Sequence, residues 1–336
     1  MELSNLEKSV PGEHEAIDKL IEMLSAKMLR EKAPSEKMKR DAHPKQVGLL
    51  KATFTVLPGL DPELRVGIFE KPKSYSAWVR FSNQNAPPAA DHVKDIRGMA
   101  VKIMGVEGVK VLERERDAKT QDFILISTNK FVTRNVVDFA KLIGALTRGK
   151  LRLLLFFLFH PKITYNLVSS NKNFGSLLEA RFWSVSPYTF GARAVKYSLV
   201  PQSPERTAIP SKPADNYLTA VMERQLGSSD YYFDFMIQFQ KDRDRMHVED
   251  LSNPWSEDAS PFIKVATLMI PKQAFNTDER KAYGDNLSFT PWHCLVPHKP
   301  LGNINRGRKA VYDALSKYRH TTNGLPLVEP EEFTIV

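Results

Sequence analysis

Near the end of the chain, Arg308, Tyr312 and Arg319 could act together on one ligand. On a helix turning 100° per residue, Tyr312 stands about 40° from Arg308, and Arg319 stands about 20° from Tyr312. All three therefore share one stripe. A solvated basic face is one reading of that stripe. A sharper one starts from the phenol, which ordinarily ionises near pH ~10. An arginine one turn away favours the phenolate, and a phenolate is a hard anionic ligand for ferric iron. Arg319, two turns further on, offers a planar guanidinium suited to a carboxylate.

A second cluster lies in the first quarter of the chain: Arg40, His43, Arg80 and Ser82. His43 comes just before an apolar segment, where a histidine can be a capping or surface residue, or a proton carrier if its neighbours hold it. The two arginines and the serine supply that company.

Several elements must position these residues. Ile17, Leu20, Ile21, Leu24 and Met28 recur at helical spacing, which predicts a helix over 13–32 packed on the body. Strand patterns follow over 48–57, 76–81, 98–104 and 122–127, and again over 194–199, 232–240 and 262–270. Helices are expected over 132–146, over 151–159 with Pro161 limiting it, and over 302–320. The prolines between 201 and 213 mark a loop, because strand patterns resume after them. With no repeat and no alternation of strand and helix, the pattern predicts an α+β fold around an antiparallel sheet or barrel.

Composition narrows the function. In 336 residues, 42% hydrophobic and 26% charged, there is material for a large core. A single cysteine, Cys294, excludes an internal disulfide framework and points to a reducing compartment. The start of the chain lacks a signal-peptide pattern, and the longest apolar run, 153–159, falls short of the ~20 residues a spanning helix needs. The expectation is a cytoplasmic protein. The net charge of +9 fits an anionic ligand, an anionic lipid surface or nucleic acid. Bases interspersed with acids, and no zinc finger, RNP or basic-region pattern, argue against nucleic acid.

The two clusters, taken in order, resemble the haem catalases, and in particular the small catalase-related peroxidases. Arg40-Asp41-Ala42-His43 is similar to the segment carrying the distal histidine of that family. Val79-Arg80-Phe81-Ser82 resembles its VRFS strand, and 95–102 resembles its D-x-RG-x-AVK stretch. Phe182-Trp183-Ser184 is like the FWS of the core. Arg308-x-x-x-Tyr312 resembles the proximal motif, with Arg319 where the family has a propionate-binding arginine. The tract 287–293, with Leu301-Gly302 and Asn305-Arg306, is similar to the small peroxidases. The family's distal asparagine has no clear counterpart, and Thr120 or Gln121 is the expected occupant.

The resemblance implies a catalase-core antiparallel β-barrel with surrounding helices and no C-terminal flavodoxin-like domain. It divides the chain into an N-terminal helical arm, 1–34, and a haem-binding core, 35–336. It implies haem b as cofactor, with ferric iron ligated by Tyr312 and Arg308 holding the phenolate. Arg40, Arg80 and Arg319 would meet the propionates. His43, oriented by Ser82, would move a proton between peroxide oxygens, with Thr120 as the third catalytic position. The activity implied is reduction of hydrogen peroxide or an organic hydroperoxide through a ferryl intermediate, using an organic electron donor, with weak catalase activity. The alternatives are a fatty acid hydroperoxide isomerase or dehydratase, and a non-enzymatic haem-binding protein. A homo-oligomer, taken as a dimer, is expected.

The segment 150–160 stands outside this scheme. Apolar nearly all round and flanked by Arg148, Lys150, Arg152 and Lys162, it reads as a buried helix or subunit interface. It also reads as a peripheral membrane contact, or as a lipid entrance to the haem. Cys294 lacks the loop of thiolate-ligated haem enzymes and reads as a core or loop thiol. His293 and His298 show no further ligand nearby in sequence, and Trp183, Trp255 and Trp292 read as packing residues.

Overall fold

Alternation within the strands builds a two-faced wall. The computed structural model describes residues 6–32 and 37–333. In β1 (Lys45–Val56), Leu50, Ala52, Phe54 and Val56 point to one side, as do Ala77, Val79 and Phe81 of β2 (Ser74–Asn83). Met99, Val101 and Ile103 of β3 (Arg97–Met104) and Phe123 and Leu125 of β4 (Thr120–Ile126) do the same.

The wall closes on itself. All neighbours are antiparallel, in the order β5 (Phe182–Trp183), β4, β3, β2, β1, β9 (Ile263–Ile270), β8 (Tyr231–Phe239), β7 (Arg193–Pro201), and β5 pairs again with β7. The result is a closed eight-stranded barrel, with β6 (Tyr188–Phe190) added on β7. Closure removes the unpaired edges an open sheet would expose. Its interior is filled by aromatic side chains, Phe54 lying 5.1 Å from Phe235 and 5.9 Å from Phe123 between ring centres. Removing one such ring typically costs about 3–5 kcal/mol.

The outer face is covered by helices. In α1 (Glu13–Glu31), Ala16, Ile17, Leu20, Leu24 and Met28 are buried, and the helix packs on α2 (Val136–Thr147) and α7 (Asn303–Asn323). Arg306 of α7 holds the N-terminal segment through Glu7 at 2.7 Å and Glu13 at 2.6 Å. Asn303 donates to Glu249 and accepts the backbone N–H of Val136 at 2.8 Å, capping α2 from α7. The boundary expected between residues 34 and 35 lies outside the described residues.

The α+β barrel agrees with expectation, and so do α1, α2, α7 and the seven longer strands, within a few residues. Three helices escaped periodicity: α4 (Pro161–Ser170), α5 (Tyr217–Ser228) and α6 (Asp278–Asn286). Pro161 ends α3 (Lys150–Phe159), but it also starts α4, because a proline at the first helical position lacks only an N–H that would be unpaired anyway. In α6 the sequence DERKAYGDN carries almost no apolar stripe; its helix is begun by Thr277, whose hydroxyl accepts the N–H of Arg280.

Candidate active site

The outer face of the barrel carries the even-numbered residues of β2 and β3, with Ser82 opposite Gly98 and Arg80 opposite Ala100. His43 arrives beside this face just before β1, with its backbone in the left-handed region at φ 55°. A non-glycine residue there costs on the order of 1–3 kcal/mol. Arg80 helps to hold it, donating from Nη2 to the His43 carbonyl at 3.1 Å.

The His43 ring sits 3.3 Å through Nδ1 from Ser82 Oγ. Gly98 leaves the space for that pair. A Cβ on it would lie 2.7 Å from both His43 Nδ1 and Ser82 Oγ. Nε2 makes no hydrogen bond among the described residues. Burial, followed by the charges of Arg80, Arg308 and Arg40, pushes the imidazole pKa down to about 3. At neutral pH the ring is uncharged and able to accept a proton.

Three guanidiniums gather beside it. Arg40 donates to the carbonyls of Gly284, Asp285 and Leu287 at 2.8, 3.1 and 2.9 Å, at the C-terminal end of α6. Arg319 donates to the Asp285 carbonyl and lies 3.4 Å from that of Asn286. These carbonyls are the ones a helix end leaves unpaired, and they carry its negative dipole. The carboxylate these three guanidiniums share is that of Asp285, 3.9 Å from Arg80 and half exposed. Three positive charges against one negative leave two uncompensated. Burial and the other guanidiniums hold Arg80 well below the usual arginine range and bring Arg319 down to about 9. Arg40 Nε and Arg80 Nε are buried without a partner among the described residues.

Tyr312 stands on α7, half-buried against the helix-side core, and makes no hydrogen bond among the described residues. It lies near enough to Arg40 for the two side chains to interact electrostatically. Arg308, one turn earlier, donates to Ser186 Oγ at 2.9 Å and lies 3.4 Å from Asn305 Oδ1. No hydrogen bond joins Arg308 to Tyr312 among the described residues, but its charge reaches His43. Ser186 was not singled out from sequence, and Asn305 was noted there only as part of a resemblance, without a role. The signal for Ser186 was the FWS stretch; Val185, at φ 59°, follows it directly and precedes Ser186.

Thr120 and Gln121 are not brought to His43. Ser82, Gly98 and Ile126 lie in one row across the strands, and Thr120 is six residues further along β4. At about 3.3 Å per residue that is roughly 20 Å. Thr120 donates to Glu329 at 2.6 Å, and Gln121, facing the barrel interior, accepts from the N–H of Leu295.

Thr120 belongs instead to a buried polar network that sequence reading missed. Lys102 Nζ lies 2.7 Å from Asp122 and 2.5 Å from Glu329, while His293 meets Asp122 at 3.0 Å and Glu115 at 3.0 Å. Asp122, His293 and Glu329 are a donor set a metal ion could use. The Lys102 ammonium already supplies the positive charge among them. Glu329 is 36 residues from His293 in sequence, so no local spacing announced it. Cys294, buried nearby, has its thiol pKa pushed up by burial, which keeps it protonated.

Comparison with known structures places the architecture. The fold is that of the catalases. A fungal catalase matches with a TM-score of 0.67 and 17% identity, over 88% of this chain and 61% of that one. A bacterial catalase gives 0.66 and 16%, over 93% and 62%, and catalase A from Saccharomyces cerevisiae gives 0.67 and 18%, over 89% and 65%. The chain thus spans less than two thirds of the length of these proteins. No family model matches the sequence, and no curated protein does.

Proposed function

We propose that this chain is a haem-dependent peroxidase that reduces hydrogen peroxide or an organic hydroperoxide with an organic electron donor. One observation carries the reading: a neutral imidazole, bonded to Ser82, beside three guanidiniums that share a single carboxylate, with a tyrosine phenol on the adjoining helix. These residues fit haem b. Among the described residues, two uncompensated positive charges match two propionates, two buried guanidinium Nε atoms lack partners, and the Tyr312 phenol is unengaged. Haem held by Tyr312 would supply ferric iron and the redox capacity for peroxide O–O cleavage.

The chain's own residues do the rest. Arg40, Arg80 and Arg319 bind and orient carboxylates with charge-assisted hydrogen bonds. His43 takes a proton at Nε2 from one oxygen of the peroxide and returns it to the other as water or an alcohol leaves. Ser82 keeps Nδ1 engaged, so that Nε2 is the nitrogen presented. Burial, with the charges of Arg80, Arg308 and Arg40 beside it, keeps the imidazole unprotonated until substrate supplies the proton.

The test is an absorption spectrum of the protein produced with haem, compared with Tyr312→Phe. A stoichiometric high-spin ferric spectrum that is altered or lost in the variant is the expected result. A wild type without haem, or an unchanged variant spectrum, overturns the assignment. A second reading, conversion of a fatty acid hydroperoxide without added reductant, draws on the exposed apolar helix α3. Turnover of such a hydroperoxide in the absence of any donor would favour it over the peroxidase. The haem-carrier reading has no matching observation, since it gives the His43–Ser82 pair nothing to do.

A further inference from the structure

We infer that the face formed by α3 and α4 is a docking surface for an anionic phospholipid bilayer. No residue of α3 is buried. Leu151, Leu154, Leu155 and Leu158 form the i, i+3, i+4, i+7 stripe that a surface helix ordinarily turns to the core. Here they are 70%, 66%, 44% and 70% exposed. Phe156 and Phe157 hold the opposite side of the helix against the α2 core, so the leucine stripe is turned outward by packing. Phe159, and Tyr165 and Val168 of α4, are exposed as well. Of the seventeen large hydrophobic side chains exposed among the described residues, eight fall between 146 and 168. Scattered apolar residues would need no explanation; a concentration of this kind marks an interaction surface.

Charge identifies the occupant. From 139 to 178 the chain has six lysines and arginines and no aspartate or glutamate, although it carries 39 acids in 336 residues overall. Arg148, Lys150 and Arg152 flank the leucine stripe, and Lys162 lies in the first turn of the next helix. An open groove of about 780 Å³ between α1, α2 and α3 adjoins the face, with Lys19, Lys141, Arg148 and Arg152 along it and Glu15 as its one acid. A second copy of this chain is a poor occupant. A two-fold contact would bring the same cations together with no carboxylate on α3 or α4 to pair with them. A bilayer with anionic headgroups satisfies both features at once, taking the leucines into the acyl boundary and the basic flanks among the headgroups. No described helix is long and apolar enough to cross a membrane, so the contact lies on one leaflet.

The proposal does not depend on haem. The experiment is co-sedimentation of the full chain with vesicles of phosphatidylcholine alone and of phosphatidylcholine with phosphatidylglycerol. At least tenfold stronger partitioning onto the phosphatidylglycerol vesicles is expected. Leu154→Glu/Leu158→Glu should abolish it, while the unfolding temperature stays unchanged because both side chains are exposed. Each basic residue near an anionic surface contributes about a fivefold factor, so Lys150→Gln/Arg152→Gln should weaken partitioning roughly twenty-fivefold. Absence of binding to the phosphatidylglycerol vesicles overturns the proposal. Equal binding to both vesicle types overturns the role of charge. A dimer that Leu154→Glu/Leu158→Glu converts to monomer, without vesicle binding by wild type, makes the face an interface between copies instead.

Discussion

Gly98→Ala tests whether the placement of His43 governs turnover, because Gly98 itself meets neither cofactor nor substrate in the proposed mechanism. A new Cβ would sit 2.7 Å from His43 Nδ1 and from Ser82 Oγ, whereas ordinary contact begins near 3.4 Å. One or both groups must retreat by about 0.7 Å. The strand backbone gives little, since Gly98 is paired on both sides, to Ser82 and to Ile126. The His43 ring therefore moves and its bond to Ser82 breaks, which costs about 0.5–1.5 kcal/mol in itself, with about 1–3 kcal/mol for overpacking. A displacement approaching 1 Å lowers turnover by about 10²-fold. The expected outcome is a 10- to 100-fold slower reaction with peroxide, followed by stopped flow on haem-loaded protein. Haem stoichiometry should be retained, because the arginines and Tyr312 are untouched. A wild-type rate in fully loaded Gly98→Ala protein would refute the placement of His43 as proton carrier. Loss of haem would refute the independence of haem binding from the His43–Ser82 pair.

Two further outcomes follow from burial and charge. Arg319→Leu should leave the haem-free protein as stable or more stable, since it replaces a buried and under-compensated cation by an apolar side chain. Its haem affinity should fall about 10- to 100-fold, the worth of one charge-assisted hydrogen bond. Thermal unfolding without haem and a haem titration measure the two, and a fall in both would mean that Arg319 is structural. The Lys102–Glu329–His293 network should shape stability against pH. Burial alone would raise Glu329, but Lys102 and His293 hold its pKa at about 2, below its ordinary 4.5. Its contribution is therefore present above pH 4.5 and lost as pH falls towards 2. Burial and Lys102 would lower His293, but Asp122 and Glu329 raise it to about 9. That contribution is full below pH 6.5 and lost as pH rises through 9. Glu329→Gln should destabilise the protein near pH 6 by on the order of 2–3 kcal/mol and bring the alkaline decline to lower pH. Denaturant unfolding from pH 4 to 9.5 checks this, and an unshifted alkaline limb would remove Glu329 from the account.

What the sequence determined by itself was local. The two-residue period of β1 to β4 and β7 to β9 follows from alternation between barrel interior and outer face, and it is legible in any window of eight residues. So is the stripe of α1, and so is the placement of Arg308, Tyr312 and Arg319 on one side of a helix. Their ordered resemblance to the haem catalases added the expectation of a closed barrel, which alternation cannot distinguish from an open sheet, because closure depends on β5 pairing with both β4 and β7. Only the tertiary structure decided which charges go uncompensated. Arg40 and Arg319 donate to carbonyls at the end of α6, a helix with no apolar stripe to announce it, and Asp285 is the carboxylate they share. Thr120 left the expected site for the same reason. Register along β4 carries it roughly 20 Å from Ser82, where Glu329 waits at the far end of the chain. The outward leucines of α3 show the limit most plainly: the period is written in the sequence, but the side on which it faces is set by what Phe156 and Phe157 find to pack against.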